Sequence, residues 1–140
     1  MKRLLLIATL LVGCTPAPRE GPPTIDLGKS ECAHCGMIVS EERYAAGMAG
    51  AKVDDETKDL LFDDIGCMVK YTRAHGDVAK SARLYVHDAD SKAWVEANAA
   101  RFTRDPSTHT PMGSGIIGHD STHADSSATT WSALLDENKH

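Results

Sequence analysis

Leu60-Leu61-Phe62-Asp63-Asp64-Ile65-Gly66-Cys67-Met68-Val69 carries the change of period that decides the fold. Leu60-Leu61-Phe62 reads as a strand, and Asp63 or Asp64 then offers a side-chain oxygen as the N-cap of a helix running to about Ala74. In that helix Ile65, Met68, Val69 and Thr72 recur at i, i+3, i+4 and i+7 and share one face. Gly76 stands where a helix C-cap is expected. Upstream, residues 44–51 are small and apolar, and Gly47 and Gly50 favour a strand with close backbone neighbours over a helix. The polar residues 54–58 read as the turn that returns this strand to Leu60, so the two form a hairpin.

Farther out the signals shorten. Arg83-Leu84-Tyr85-Val86-His87 alternates and reads as a strand, as does Arg101-Phe102-Thr103, while residues 94–100 suit a short helix or a single irregular turn. Residues 24–27 predict a short edge strand and Met37-Ile38-Val39 the start of another. Pro111-Met112-Gly113-Ser114-Gly115-Ile116-Ile117 predicts a loop that presents Met112, because its glycines suit neither a helix nor a packed strand interior. No packing role for Gly113-Ser114-Gly115 follows from the sequence. Residues 119–130 read as a solvated segment, and residues 131–135 as an anchor with Trp131, Leu134 and Leu135 on one face. Hairpin, helix and strand together predict an α+β class: a small domain with a mainly antiparallel sheet.

The first thirty residues bear on location. Met1-Lys2-Arg3, an apolar run over residues 4–12 and then Gly13-Cys14 describe a secretory signal peptide over residues 1–13. The run is too short to cross a bilayer of about 30 Å as a helix. Leu11-Val12-Gly13-Cys14 resembles a bacterial lipobox, which implies cleavage before Cys14 and acylation at that residue. Residues 14–29 are then a lipidated cysteine and a proline-rich tether, with four prolines between Thr15 and Pro23. The expected location is the cell envelope, lipid-anchored to a membrane facing the periplasm, the outer membrane included. Cleavage removes Lys2 and Arg3 and takes the formal charge from −5 to −7. Such an acidic surface argues against nucleic acid as a partner.

Setting Cys14 aside leaves Cys32, Cys35 and Cys67, an odd number in an oxidising compartment. Glu31-Cys32-Ala33-His34-Cys35-Gly36-Met37 gathers two thiols, an imidazole and a thioether. Sulfur ligands of this kind select Cu(I), zinc or iron–sulfur centres. Gly36 after the second cysteine excludes covalent haem, and a second Cys-x-x-Cys for a zinc ribbon is absent from the chain. A Cu(I) site completed by methionine and a redox-active or structural Cys-x-x-Cys both remain. Met48 and Met68 lie on apolar stretches and read as core, whereas Met37 and Met112 adjoin glycines outside any amphipathic pattern. His34 and His109 lie close enough in sequence to these donors to serve as ligands, and His119 and His123 are spaced to share a helical face. His75, His87 and His140 read as surface residues. Cys67 beside Met68 is either a second soft pair or a buried thiol. In an oxidising compartment a bare thiolate pair is prone to disulfide formation. Thioether sulfur forms none, so a mixed Cys/Met site stays competent there.

These blocks resemble the NosL family of nitrous-oxide-reductase accessory lipoproteins. The match rests on Cys14, Cys32-Ala33-His34-Cys35-Gly36-Met37, Phe62-Asp63-Asp64-Ile65-Gly66-Cys67-Met68, residues 94–100 and Pro111-Met112-Gly113-Ser114-Gly115, in the family's order. The resemblance implies a domain over residues 30–140 built from two β-β-α-β-like units. It also implies Cu(I) bound by Cys and Met sulfur at Cys35, Met37 and Met112, to which Cys32 is added as a candidate ligand. The implied partners are a copper-site ABC transporter and nitrous oxide reductase or another copper enzyme, besides the membrane holding the lipid. The segment 119–130 is richer in Ser, Thr and His than the family pattern.

The chain thus reads as a metal carrier and not an enzyme. The rivals are a thiol–disulfide oxidoreductase using Cys32 and Cys35, and a structural lipoprotein stapled by that pair. The anchor is directly testable: the mature protein should partition with membranes, and Cys14→Ser should change that partitioning. Equal release of both forms on fractionation would overturn it.

Overall fold

The computed structural model describes residues 20–137. The signal peptide, Cys14 and the tether up to residue 19 therefore lie outside the described residues, as does His140. The first half contains a 3-10 turn at Glu42–Tyr44, β1 (Ala46–Val53), β2 (Glu56–Phe62), α1 (Ile65–Ala74), α2 (Gly76–Ser81) and β3 (Arg83–His87). The second half contains β4 (Trp94–Glu96), β5 (Arg101–Arg104), β6 (Ile116–His119) and α3 (Trp131–Asp136). Both sheets are antiparallel, one in the order β2-β1-β3-β4 and the other β5-β6. The class is α+β, as expected. The β-β-α-β order is complete in β1 to β3, whereas in the second half the strands come first and α3 last.

β1 is central and made of small residues because both its faces are covered. Ala46, Met48 and Ala51 share a core with Phe62, Ile65, Met68 and Val86. On the other face Gly47 lies under Pro23, whose Cγ would be 2.4 Å from a Cβ placed at residue 47. Residues 22–26 are thus a covering segment with no strand pairing, and the edge strand expected at 24–27 does not form. The β1–β2 turn is tighter than predicted. Asp54 and Asp55, at φ 48° and 66°, make a two-residue turn of the primed kind that matches strand twist. Glu56, Thr57 and Lys58 therefore belong to β2.

Asp64 caps α1 by accepting the Gly66 N–H at 2.6 Å, and the predicted face is buried through Ile65, Met68 and Val69. Gly76 does not end the helical region: His75 is the C-cap of α1, and Gly76 opens α2. Residues 94–100 begin as strand β4 because Trp94, Val95 and Glu96 find partners in His87, Val86 and Tyr85. A free ladder edge on β3 overrides a weak local preference. Ile116 and Ile117 likewise leave the predicted loop and pair with Arg104 and Thr103. α3 is held by Arg73 of α1, whose guanidinium donates to the carbonyls of Leu134 (2.6 Å), Leu135 (3.1 Å) and Glu137 (2.5 Å). Those are carbonyls that a helix end leaves without partners. Met48 and Met68 are core, as expected.

His87 corrects a sequence expectation, being 1% exposed. The Trp94 ring covers it at 3.7 Å between centroids, and its Nδ1–H donates to the Ala45 carbonyl at 3.1 Å. Burial lowers its pKa, only partly opposed by that bond and by Glu42 at 4.0 Å. A depressed histidine pKa means the unfolded chain takes up the proton first. The stability is full above the unfolded value of about 6.5 and is lost as pH falls through the folded value. Chemical denaturation from pH 7 to pH 5 should therefore show falling stability, and His87→Phe should flatten that slope. An unchanged slope in the variant would show that His87 does not carry it.

Candidate functional site: three thiols at the head of α1

The cysteine turn hangs on the end of β2. Gly36 N–H donates to Cys32 O at 2.9 Å, Cys32 N–H to Met37 O at 2.8 Å, and Glu31 bridges Ile38. Gly36 has φ +74°, a backbone conformation in which glycine meets no Cβ penalty. Met37-Ile38-Val39 makes only this bridge and no regular strand. Cys32 itself bridges Leu61 in parallel, and Ala33 N–H donates to Leu61 O at 2.8 Å. Since Phe62, Asp63 and Asp64 lead from there directly into α1, Cys32 faces the first helical turn.

That turn carries Cys67. The ligand atoms of Cys32, Cys35 and Cys67 all lie within 4.8 Å of one another. Cys32 and Cys67 are buried, at 3% and 2% exposed, and Cys35 is half-buried. None of the three is in a disulfide. The cluster divides one negative charge unevenly. A hydrogen bond from the Cys67 thiol is the main reason Cys32 is held as a thiolate, its pKa lowered to about 4 against the opposing cost of burial. Backbone N–H groups of Asp63, Cys35 and His34 add to it. The Cys67 thiol is pushed up, first because its proton is engaged by Cys32 and then by burial. Burial raises Cys35, with the Met37 N–H partly offsetting it. Burial also raises Asp63, and the neighbouring Cys32 charge adds to the effect after a partial offset from the Ser40 N–H.

The loop carrying Met112 docks on the same helical turn. Asp64, fully buried, accepts from Gly66 N–H (2.6 Å) and Ser114 Oγ–H (2.5 Å) on Oδ1, and from Met112 N–H (3.0 Å) on Oδ2. Gly66 is required by this approach: a Cβ there would stand 2.5 Å from Ser114 Cβ. The run 113–115 therefore has the packing purpose that the sequence did not reveal. Met112 and Met37 are 44% and 56% exposed, and Ile38 beside Met37 is 41% exposed. Exposed thioethers are unusual for a residue type that ordinarily fills cores.

Of the sequence candidates, Cys32 and Cys35 come together, Met112 is tied by its backbone to the turn bearing Cys67, and Met37 follows Cys35 on the surface. Cys67, read from sequence only as an alternative, is part of the cluster. Its signal was the i+3 spacing from the Asp64 cap, which places it in the first turn. His34 and His109 are exposed, and neither joins a cluster of three His, Cys, Asp or Glu donors among the described residues.

The fold and site define a small α+β domain with three clustered thiols at a helix head, one of them a thiolate. The sequence matches the NosL family model over residues 24–131, and the chain belongs to that family. A crystal structure of the copper chaperone NosL from Shewanella denitrificans superposes with a TM-score of 0.59 at 23% identity, covering 73% of this chain and 80% of that one. This likeness shows a shared fold. The search of curated proteins returns no match.

The uneven charge is measurable. Thiolate ultraviolet absorbance of the apo-protein should persist on acidification until about pH 4. In Cys67→Ala, which removes the main donor, the inflection should move up in pH. An inflection in wild type near the ordinary cysteine value of about 8.5 would refute the shared-proton arrangement.

Proposed function

We propose that the protein is a copper chaperone of the cell envelope, carrying Cu(I) as cargo on sulfur and passing it to a copper enzyme. The observation that carries this reading is the close approach of Cys32, Cys35 and Cys67, one of them already a thiolate. Soft sulfur donors fit Cu(I), a soft monocation. On binding, the monocation offsets the buried negative charge that Cys32 carries. Cys35, the half-buried member, is the position at which metal arrives and leaves. Met37 and Met112 supply neutral thioethers at the rim, where a weak donor detaches first and opens the ion to an acceptor.

Family membership supports extending this to delivery toward nitrous oxide reductase, with a copper-site ABC transporter as companion and Cys14 as lipid anchor. The match to a solved copper chaperone favours the same role. The oxidoreductase reading is disfavoured by the exposure pattern. A disulfide-exchange enzyme needs its accessible thiol as the thiolate. Here the accessible thiol, Cys35, has the raised pKa and the thiolate, Cys32, is buried.

Anaerobic competition with a Cu(I) chelator tests the ligand set. Cys35→Ser should weaken Cu(I) by more than tenfold, which is about 1.4 kcal/mol, and more than either Met37→Leu or Met112→Leu. The two methionine variants should lose comparable affinity, while Met48→Leu in the core leaves it unchanged. Circular dichroism confirms folding of each. Zinc preferred over Cu(I) would end the copper reading, and wild-type affinity in Met112→Leu would remove Met112 from the site.

A further inference from the structure

The ends of β3 and β6 meet at a seam between the two sheets, where Ala89 N–H donates to Gly118 O at 2.9 Å. Past those ends, the turn 88–92 and the turn 120–123 lie together. Asp88, 0% exposed, accepts from Ser91 N–H (3.0 Å), Ser91 Oγ–H (2.5 Å) and Asp120 N–H (3.1 Å), and its Oδ2 lies 3.1 Å from His123 Nδ1. Ligand atoms of Asp88, Asp90 and His123 all fall within 4.8 Å of one another. This is the second of two such donor groups among the described residues, and it shares no residue with the thiols.

His119 adds an independent observation. Its Nε2 is engaged by Thr103 Oγ1 at 2.9 Å, but its Nδ1 is buried with no hydrogen-bond partner and faces Asp90 Oδ2 at 4.0 Å. That gap is too long for a hydrogen bond. With the proton on Nε2, a nitrogen lone pair is turned toward a carboxylate oxygen. With it on Nδ1, the proton has no acceptor in reach. Either tautomer leaves a buried polar atom unsatisfied, which folded proteins ordinarily avoid. A cation between the two satisfies both. Thr103 then does for His119 what outer partners do for metal-bound imidazoles, fixing the ring by its other nitrogen.

We infer that Asp88, Asp90 and His123, with His119 facing Asp90 beside them, form a second metal site, for a divalent first-row cation, separate from the thiol cluster. Imidazole and carboxylate suit Zn(II), Cu(II) or Ni(II), whereas Cu(I) seeks sulfur and magnesium or calcium seek an all-oxygen shell. The 3.1 Å between His123 Nδ1 and Asp88 Oδ2 is a normal spacing for adjacent ligands about 2.0–2.2 Å from zinc. The ion would displace only the proton between them and leave the three other bonds to Asp88 in place. Buried Asp88 and half-buried His119 form the floor, while Asp90 and His123, 69% and 47% exposed, leave a path for the ion. The inference does not depend on copper reaching the cysteines.

Anaerobic zinc titration of the full chain, followed by nitrogen-15 spectra of the histidine rings, reads the site by residue. The Nδ1 signals of His119 and His123 should shift together and saturate with one equivalent, beyond any taken by the thiols. Those of His34 and His75 should stay still, and millimolar magnesium should move none. Equilibrium dialysis of Asp90→Ala/His123→Ala, two exposed positions whose loss spares the core, should retain one zinc fewer than wild type. Unmoved His119 and His123 signals at two equivalents, or equal zinc counts in wild type and variant, would overturn the site.

Discussion

The buried carboxylate of Asp64 is the constraint on which the rest of the arrangement depends. One side chain accepts from the first turn of α1, from Ser114 and from the backbone of Met112. Capping alone is worth about 0.5–2 kcal/mol. More is at stake here, because leaving each buried donor unmet costs about 1–3 kcal/mol. A non-polar residue at position 64 would release the helix start, which carries Cys67, and the loop that carries Met112. Two stretches about forty-five residues apart are thus placed by a single group. Gly66 is the steric half of the same device, since only a missing side chain lets Ser114 reach the carboxylate.

The electrostatics of the thiol cluster follow from this placement. A buried thiolate is costly unless hydrogen bonds surround it. Cys32 has the Cys67 proton and three backbone N–H groups, and the turn closed at Gly36 supplies those of His34 and Cys35. The negative charge is retained by hydrogen bonds: the main causes of the Cys32 shift are the Cys67 thiol and backbone N–H groups, and the Asp63 carboxylate is itself pushed up beside it. Such a site gains from a bound monocation in a way that an already paired one does not. The same logic separates it from a redox pair, where the charge belongs on the outermost sulfur.

Much of the fold was legible in the sequence, and the places where it was not share a cause. α1, its Asp64 cap and β3 were readable because period and cap act within a few residues. β4, the strand at Ile116 and the burial of His87 were not, because each is decided by a partner strand distant in sequence. Trp94 reads as helix or turn until His87 lies opposite it. The same division holds at the site. Cys32 and Cys35 are legible as a motif, whereas Cys67 joins them only because the Cys32–Leu61 bridge lays the cysteine turn beside the head of α1. The four-residue spacing of His119 and His123 suits a shared helical face. The structure instead sets them on β6 and in the turn after it, beside Asp90 and Asp88 respectively.

The four methionines of the described domain sort themselves by exposure, and the sorting bears on function. Met48 and Met68 are fully buried between β1 and α1, where an unbranched side chain fills an irregular gap. Met37 and Met112 forgo much of the roughly 1.5–3 kcal/mol that full burial of such a side chain supplies. Nothing in the packing requires them to be outside: the backbone bonds that hold their loops, Cys32 to Met37 O and Met112 to Asp64, are made by the main chain and are indifferent to the side chain. A leucine or a lysine would serve the fold at either position. The two thioethers lie outside the core on the loops held to the thiol-bearing turns, and that coincidence is explained by a soft cargo far better than by stability.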